Sequence, residues 1–127
     1  MIKYNSLRPV LWTENLDDTI GFYIHTLGFS LLERNEEWQW ASIQKDGVYI
    51  MLSKPNEHEK FNGIAFTGSF YFNVDHVDEL WEELKGKTEI CYEIETFDWE
   101  MREFAIYDNN GYILQFGQPA GEISTAE

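Results

Sequence analysis

Aromatic and acidic side chains are the residues of this sequence whose types and spacing suggest chemistry. Aromatic residues make up 17% of the chain, and five of them are tryptophans. Trp38 and Trp40 are two residues apart, as are Tyr71 and Asn73, so each pair shares one face of a predicted strand. Trp99 lies between two acidic residues. Because aromatic faces and acidic groups both attract cations, the pattern suggests a cation-binding site, with aromatic packing in the core as the alternative.

The charge of the chain restricts its partners. It has 23 acidic and nine basic residues, a formal net charge of -14, and residues 61–127 hold 14 of the acidic and three of the basic ones. Binding to phosphate groups requires a basic surface, so we expect neither a nucleic acid nor a membrane as partner. The acidic surface either attracts a cation or serves solubility alone.

Signatures of catalysis are missing from the sequence. It contains no nucleophile elbow, no glycine-rich phosphate loop and no H-E-x-x-H motif, so we predict no catalytic residue. The single cysteine, Cys91, cannot form an internal disulfide. The apolar runs are too short to span a bilayer, and the first residues do not resemble a signal peptide. These features predict a cytoplasmic protein.

Hydrophobic periodicity predicts the order β-α-β-β-β twice in one domain. Helical spacing predicts one helix over 15–27, with Asn15 as N-cap. It predicts a second one with Asp75 as N-cap, an apolar stripe from Val77 to Leu84 and Gly86 at its end. Alternation predicts strands at 7–13, 29–34, 38–44, 48–53, 69–74, 89–95, 101–107 and 112–117. Module one therefore covers about 5–53, a linker 54–67, module two 68–117 and a mobile tail 118–127.

The two halves align as an internal repeat. Ala41 lies six residues before Gly47, as Ala105 does before Gly111, and without gaps this places Trp40 on residue 104 and Trp38 on residue 102. We expect an α+β fold in which two tandem modules form curved mixed sheets around a cleft, with the helices outside. The strand residues that face the cleft are the expected ligand site.

Three stretches carry a family resemblance: NLDDTIGFYIHTLGF (15–29), VDELWEEL (77–84) and WEMREFAIYDNNGYILQFG (99–117). They resemble the vicinal oxygen chelate superfamily, which contains glyoxalases, bleomycin resistance proteins and dioxygenases. The third stretch is similar to the W-G-x-R-E-F-x-x-x-D-P-x-G-N ending of the bleomycin resistance branch. It departs from that pattern at Glu100, Asn109 and Tyr112, where the branch has Gly, Pro and Asn.

The resemblance implies a divalent metal held by side chains on the first and last strand of each module. The corresponding residues are Arg8, Met51, Ser69 and Gln115. A guanidinium and a thioether do not suit a hard or borderline cation, which takes imidazole and carboxylate ligands. We therefore expect these positions to bind no metal, and we expect no cofactor.

The resemblance also implies an aromatic groove for a flat cationic drug, together with a homodimer. Positions resembling Trp40, Tyr71 and Trp99 line that groove in the bleomycin resistance branch. The predicted ligand-binding set is Trp38, Trp40, Tyr71, Asn73, Trp99, Glu100 and Arg102.

Three hypotheses follow. The first is a protein that sequesters a small aromatic, cationic compound without a metal. The second is a superfamily enzyme, a glyoxalase-like lyase or dioxygenase, with or without a divalent metal. The third is an interaction module with a vestigial cleft.

Overall fold

The chain folds into two compact units, each with one four-stranded sheet. The computed structural model describes residues 1–57, 61–65 and 68–123. Unit one is Met1–Asn62 and unit two is Gly63–Glu127. Each sheet is mixed, and each unit follows the order β-α-β-β-β. The predicted α+β class with tandem modules is therefore confirmed.

Unit one contains β1 (Val10–Trp12), α1 (Leu16–Gly21), β2 (Ser30–Asn35), β3 (Trp40–Lys45) and β4 (Val48–Ser53). The sheet order is β1-β4-β3-β2, with β1 parallel to β4 and the other pairs antiparallel. Helix α1 begins at the predicted cap, because the backbone N–H of Asp18 donates to Asn15 Oδ1 at 3.1 Å. It continues into a π-helical turn at Phe22–Thr26.

Unit two repeats this arrangement with β5 (Phe70–Asn73), α2 (Val77–Leu84), β6 (Glu89–Thr96), β7 (Met101–Tyr107) and β8 (Ile113–Pro119). The sheet order is β5-β8-β7-β6, and β5 runs parallel to β8. Successive side chains of a strand point to opposite faces, so each sheet has two distinct faces. We call the face turned away from the unit's own helix the open face.

The opposite face of each sheet packs against the helix of its unit. In unit one, α1 lies on β3 and β4, and Ile43, Ile50 and Leu52 are fully buried there. In unit two, α2 lies on β7 and β8, and Trp81 contacts Phe104 with ring centroids 5.2 Å apart. Burying one such phenylalanine contributes about 1.5–3 kcal/mol. Alternating apolar residues on the strands thus fix which face remains open for a site.

Trp38 is not part of a strand, contrary to our expectation. The chain turns at residues 36–39, Gln39 has φ 50°, and β3 begins only at Trp40. The prediction that Trp38 and Trp40 share a strand face is therefore wrong. Trp38 lies in the turn that joins the antiparallel strands β2 and β3, and the alternation of side chains in the sequence does not show where that turn ends.

The repeat requires a one-residue gap, because the gapless alignment that matches β4 with β8 places β3 one residue out of step with β7. Met51 pairs with Ser42 in unit one, whereas Gln115 pairs with Ala105 in unit two. The reason is the hairpin: unit one turns at Asp46 and Gly47, and unit two uses the longer loop 108–112. Trp40 therefore occupies the position of Glu103, on the open face of its own sheet, and not that of residue 104.

The chain termini also differ from the sequence prediction. Strand β8 continues to Pro119, followed by a short 3-10 turn at Ala120–Glu122, so the predicted mobile tail does not begin at 118. The amide of Gln118 explains this, because its Oε1 accepts the backbone N–H of Val77 at 3.0 Å. Residues 124–127, and residues 58–60 and 66–67 of the predicted linker, lie outside the described residues. In the described part of the chain, no helix is long and apolar enough to cross a membrane.

Candidate functional site

The open face of the unit-two sheet gathers a set of polar and aromatic side chains. Strand pairing places Tyr71, Gln115, Ala105 and Tyr92 in one row across the four strands. The next row contains Asn73, Gly117 and Glu103. Side chains paired in this way lie on the same face, so the register alone brings the phenols close to the carboxylate of Glu103.

Glu103 is the centre of this set. It is only 2% exposed, and its carboxylate accepts three hydrogen bonds. Tyr71 Oη donates to Oε1 at 2.8 Å, and Trp99 Nε1 donates to the same oxygen at 3.1 Å. Tyr92 Oη donates to Oε2. A buried carboxylate needs such donors, because an unpartnered one would bear a large desolvation cost.

Two further side chains extend the hydrogen-bond network. Gln115 Nε2 donates to Tyr92 Oη at 2.9 Å, and Ser69 Oγ donates to Gln115 Oε1. Both polar groups of the Gln115 amide are therefore engaged within unit two. The network orients its protons in one direction, from Ser69 through Gln115 and Tyr92 to the carboxylate of Glu103.

The charge of Glu103 has no cationic partner in its unit. The basic side chains of unit two are Lys85, Lys87 and Arg102. Among the described residues, Lys85 pairs with Glu82 and Arg102 with Asp78, and none of the three pairs with Glu103. Among the described residues of unit two, only neutral donors bond to the carboxylate, so its negative charge is not offset within the unit.

The two phenols hold their protons firmly. Burial, reinforced by donation to Glu103, raises the pKa of Tyr92 to about 12. The same causes, again with burial first, raise the pKa of Tyr71 well above its usual value. Groups with such raised pKa values are poor proton donors at neutral pH, so the arrangement suits binding better than acid catalysis.

Trp99 is exposed yet fixed in position. Its ring stacks on Phe97 with centroids 4.6 Å apart and planes 7° apart, and its indole N–H is held by Glu103. Phe97 in turn meets Tyr92 edge to face at 5.6 Å. Trp99 is nevertheless 62% exposed, and Tyr71 is 39% exposed. A rigid ring with one free face is the element that a flat ligand needs for stacking.

Gly117 leaves the space that the phenol of Tyr71 needs to reach Glu103. A Cβ on Gly117 would lie 1.9 Å from Tyr71 Oη and 2.6 Å from its Cζ. The phenol of Tyr71 therefore lies directly over Gly117 as it reaches Glu103. Any side chain at 117 would force the phenol away from the carboxylate.

Glu100 occupies a strained turn beside Trp99. Its φ is 64°, a conformation that favours glycine, and the ending of the bleomycin resistance branch that this stretch resembles has glycine at this place. The turn is anchored because Glu100 N–H donates to the Phe97 carbonyl and Ala120 N–H to the Glu100 carbonyl, both at 2.9 Å. The side chain of Glu100 is exposed.

The structure brings together only part of the sequence-predicted binding set. Tyr71, Asn73, Trp99 and Glu100 lie on or beside the open face of unit two. Arg102 points to the other face, where its guanidinium binds Asp78 in α2 with Nε–Oδ1 of 2.9 Å. We therefore leave Arg102 out of the site.

The remaining predicted residues belong to unit one. Trp38 is exposed in the turn before β3, and its backbone N–H donates to Asn35 Oδ1 at 2.9 Å. Trp40 is half-buried on the open face of its own sheet. Their part in binding stays a prediction.

The residues at the superfamily's metal positions do not fit a divalent cation. The Arg8 guanidinium lies 4.6 Å above the Tyr49 ring, a cation–π contact, and Met51 offers only a thioether. Ser69 and Gln115 are hydrogen-bonded to each other. Within the described ranges, no group of three or more His, Cys, Asp or Glu could hold a metal ion. We derive no chemistry from a metal here.

The predicted ligand-binding set does not contain Glu103, Tyr92, Phe97 and Gly117. For Glu103 a signal existed, since an acidic residue beside the buried Phe104 must face the other side of β7. For Tyr92 the signal was weaker, because β6 carries register shifts next to it that alter which strand residues lie opposite.

Comparison with known proteins agrees with this fold. The profile of the Glyoxalase/Bleomycin resistance protein/Dioxygenase superfamily matches residues 6–116. A bleomycin resistance protein from Geobacillus stearothermophilus is 27% identical over 125 residues, covering 87% of this chain and 93% of that protein.

Two solved structures are similar in fold. A superfamily member from Sphaerobacter thermophilus gives a TM-score of 0.77 at 19% identity, over 92% of this chain and 98% of that one. A lactoylglutathione lyase from Agrobacterium tumefaciens gives 0.73 at 16% identity, over 94% and 97% of the two chains. The profile match and the paired β-α-β-β-β units together show that this chain belongs to the Glyoxalase/Bleomycin resistance protein/Dioxygenase superfamily.

Proposed function

We propose that this protein binds a small, flat aromatic cation without a metal and thereby sequesters it. The observation that carries the proposal is the buried carboxylate of Glu103, which three neutral donors hold beneath the exposed rings of Tyr71 and Trp99. Similarity to bleomycin resistance proteins supports the same class of ligand.

The physical roles of these residues differ. The free face of Trp99 supplies stacking area, and a cation over such a face gains about 0.5–2 kcal/mol. Glu103 supplies a local negative potential that burial protects from screening by salt. The 14 acidic residues of 61–127 add a long-range field, which mainly raises the association rate.

Calorimetric titration with bleomycin and with small aromatic cations tests the proposal. We expect Trp99→Ala to weaken binding by about 2- to 30-fold, the equivalent of one cation–π contact. Glu103→Gln should weaken it as well, whereas Glu93→Gln removes the same charge from an exposed position of β6 and should leave affinity unchanged.

If Glu93→Gln and Glu103→Gln have equal effects, the general acidity of the protein attracts the ligand and the site is misplaced. If no aromatic cation binds at about 100 μM, an affinity of only some 5–6 kcal/mol, sequestration has no support.

We further propose a homodimer. Met1, Ile2, Tyr4 and Leu7 are almost fully exposed, and the strand β1 begins only at Val10. Exposed apolar side chains in a segment without helix or strand are typical of an arm that contacts another copy. Light scattering that finds a monomer at micromolar concentration would contradict this.

A further inference from the structure

The direction of the hydrogen bonds around Glu103 restricts what kind of cation can bind. Both phenols donate their protons to the carboxylate. A phenolic oxygen that donates its proton keeps its lone pairs, and can then only accept. Because both phenolic protons are already hydrogen-bonded to the carboxylate, neither phenol can donate to a ligand, and each phenol oxygen can only accept a hydrogen bond from it.

The two phenol oxygens are not equivalent. Tyr92 Oη already accepts the side-chain N–H of Gln115 at 2.9 Å. Tyr71 Oη accepts no hydrogen bond from the described residues of unit two. Tyr71 is also the more accessible of the two tyrosines, at 39% exposed. Tyr71 Oη is therefore the acceptor that remains for a ligand.

Glu103 cannot serve as a direct contact. At 2% exposure its oxygens are covered by the side chains that donate to them. Its charge acts through Tyr71, because a phenol that donates to a carboxylate becomes a stronger acceptor on its own oxygen. Trp99, whose indole N–H is also bound to Glu103, presents only ring face to a ligand.

These observations separate two kinds of cation. A quaternary ammonium has no N–H and binds by contact with aromatic faces alone. A protonated amine, amidinium or guanidinium carries N–H donors and can bond to an oxygen acceptor as well. We propose that the ligand of this site is an N–H-bearing organic cation that donates a hydrogen bond to Tyr71 Oη while its aromatic part stacks on Trp99. This inference rests on the proposed function, since it specifies the ligand class of the same site.

Stepwise methylation of one probe tests the inference on the unaltered protein. The probes are 1-naphthylmethylamine and its N-methyl, N,N-dimethyl and N,N,N-trimethyl derivatives, which are all cationic near neutral pH. Calorimetry gives the affinity of each. We expect the first three, which keep at least one N–H, to bind within a few-fold of one another, and the trimethyl cation to bind at least about tenfold more weakly.

Tyr71→Phe supplies the second arm of the test. The variant keeps the ring but removes the oxygen, so the tenfold preference for N–H-bearing probes should disappear. Circular dichroism confirms that the variant is folded, and the methylation series on the native chain decides the question if it is not.

The outcomes separate this inference from the proposed function. If all four probes bind with similar affinity, or the trimethyl cation binds best, the site holds cations by ring faces and the hydrogen-bond inference is overturned while the proposed function stands. If the preference persists in Tyr71→Phe, another acceptor is responsible and the assignment to Tyr71 is wrong. If no probe binds, the proposed function fails and the inference fails with it.

Discussion

Because Tyr71 packs over Gly117, we predict that one methyl group added at residue 117 will break the hydrogen bond from Tyr71 to Glu103. An alanine Cβ at 117 would lie 1.9 Å from Tyr71 Oη, so in Gly117→Ala the phenol must leave Glu103. A hydrogen bond to a charged group contributes about 1.5–3 kcal/mol. Replacing glycine by alanine within a strand by itself raises the free energy of unfolding by about 0.5–1 kcal/mol. We expect Gly117→Ala to lower the free energy of unfolding by about 1–2 kcal/mol, the difference between these effects.

A double-mutant cycle shows whether Tyr71 is the cause. In a Tyr71→Ala background the clash is absent, so adding Gly117→Ala should be neutral or stabilising. The coupling energy should then be about 1.5–3 kcal/mol, measured by urea unfolding followed by tryptophan fluorescence. Gly86→Ala serves as control, because a Cβ there meets nothing within 4 Å.

Two results would refute the reasoning. An equal loss of stability in both backgrounds would mean that the backbone at 117, and not the phenol, resists the methyl group. A Gly117→Ala protein as stable as the original, with its affinity for aromatic cations intact, would mean that Tyr71 does not need its place over Gly117.

Four further predictions follow from the same geometry. Because folding raises the pKa of Tyr92 to about 12, its proton is held more tightly in the folded state; this stabilisation is complete below about pH 10 and is lost as pH rises towards 12. Absorbance titration at alkaline pH should show it ionising late, and earlier in Glu103→Gln; ionisation near pH 10 in both proteins would contradict this. Glu100→Gly should stabilise the protein by about 1 kcal/mol, because φ is 64° there, and an unchanged melting temperature would mean that the turn is not strained. Asp108→Ala should cost about 2 kcal/mol or more in unfolding experiments, because Oδ1 of Asp108 accepts three backbone N–H groups of its turn at 2.9 Å; a loss below about 0.5 kcal/mol would show that water replaces it. Elemental analysis should find well below one equivalent of zinc, nickel, iron or manganese, and stoichiometric metal that Gln115→Ala removes would favour the enzyme hypothesis.

Sequence periodicity predicts the elements well where apolar alternation is strong. The strand 48–53 and the strand 101–107 agree with the structure at both ends, and the predicted stripe from Val77 to Leu84 lies in α2. The predicted cap of that helix is wrong, because its N-cap is His76 and not Asp75. In these segments apolar residues recur at the period of the element, and their packing between helix and sheet decides the structure. The same rule correctly places Tyr71 and Asn73 on one face of β5.

Features that depend on backbone irregularities are not visible in periodicity. Trp38 lies outside its predicted strand, because β3 begins only after Gln39, which has a positive φ that few non-glycine residues adopt. Tyr92 reached Glu103 because β6 carries register shifts on either side of it. Because the hairpin of unit two is longer by one residue between equivalent strand positions, the position of Trp40 in unit one is equivalent to that of Glu103 in unit two, and not to that of residue 104. The shifts in β6 and the longer hairpin are one-residue displacements, and in a strand such a displacement exchanges the two faces of the sheet.

In the stretch Arg102-Glu103-Phe104, the outer residues attach β7 to α2 and the middle one belongs to the candidate site. Arg102 binds Asp78 in the first turn of α2, and Phe104 packs against Trp81 of the same helix. Both lie on the helix side of β7, whereas Glu103 between them must face the open side and bind Tyr71. The residues on either side therefore fix β7 against α2, and this rigid attachment determines where the carboxylate lies. Since a binding site depends on preorganised groups, the proposed function implies that Arg102 and Phe104 contribute to ligand affinity without touching the ligand.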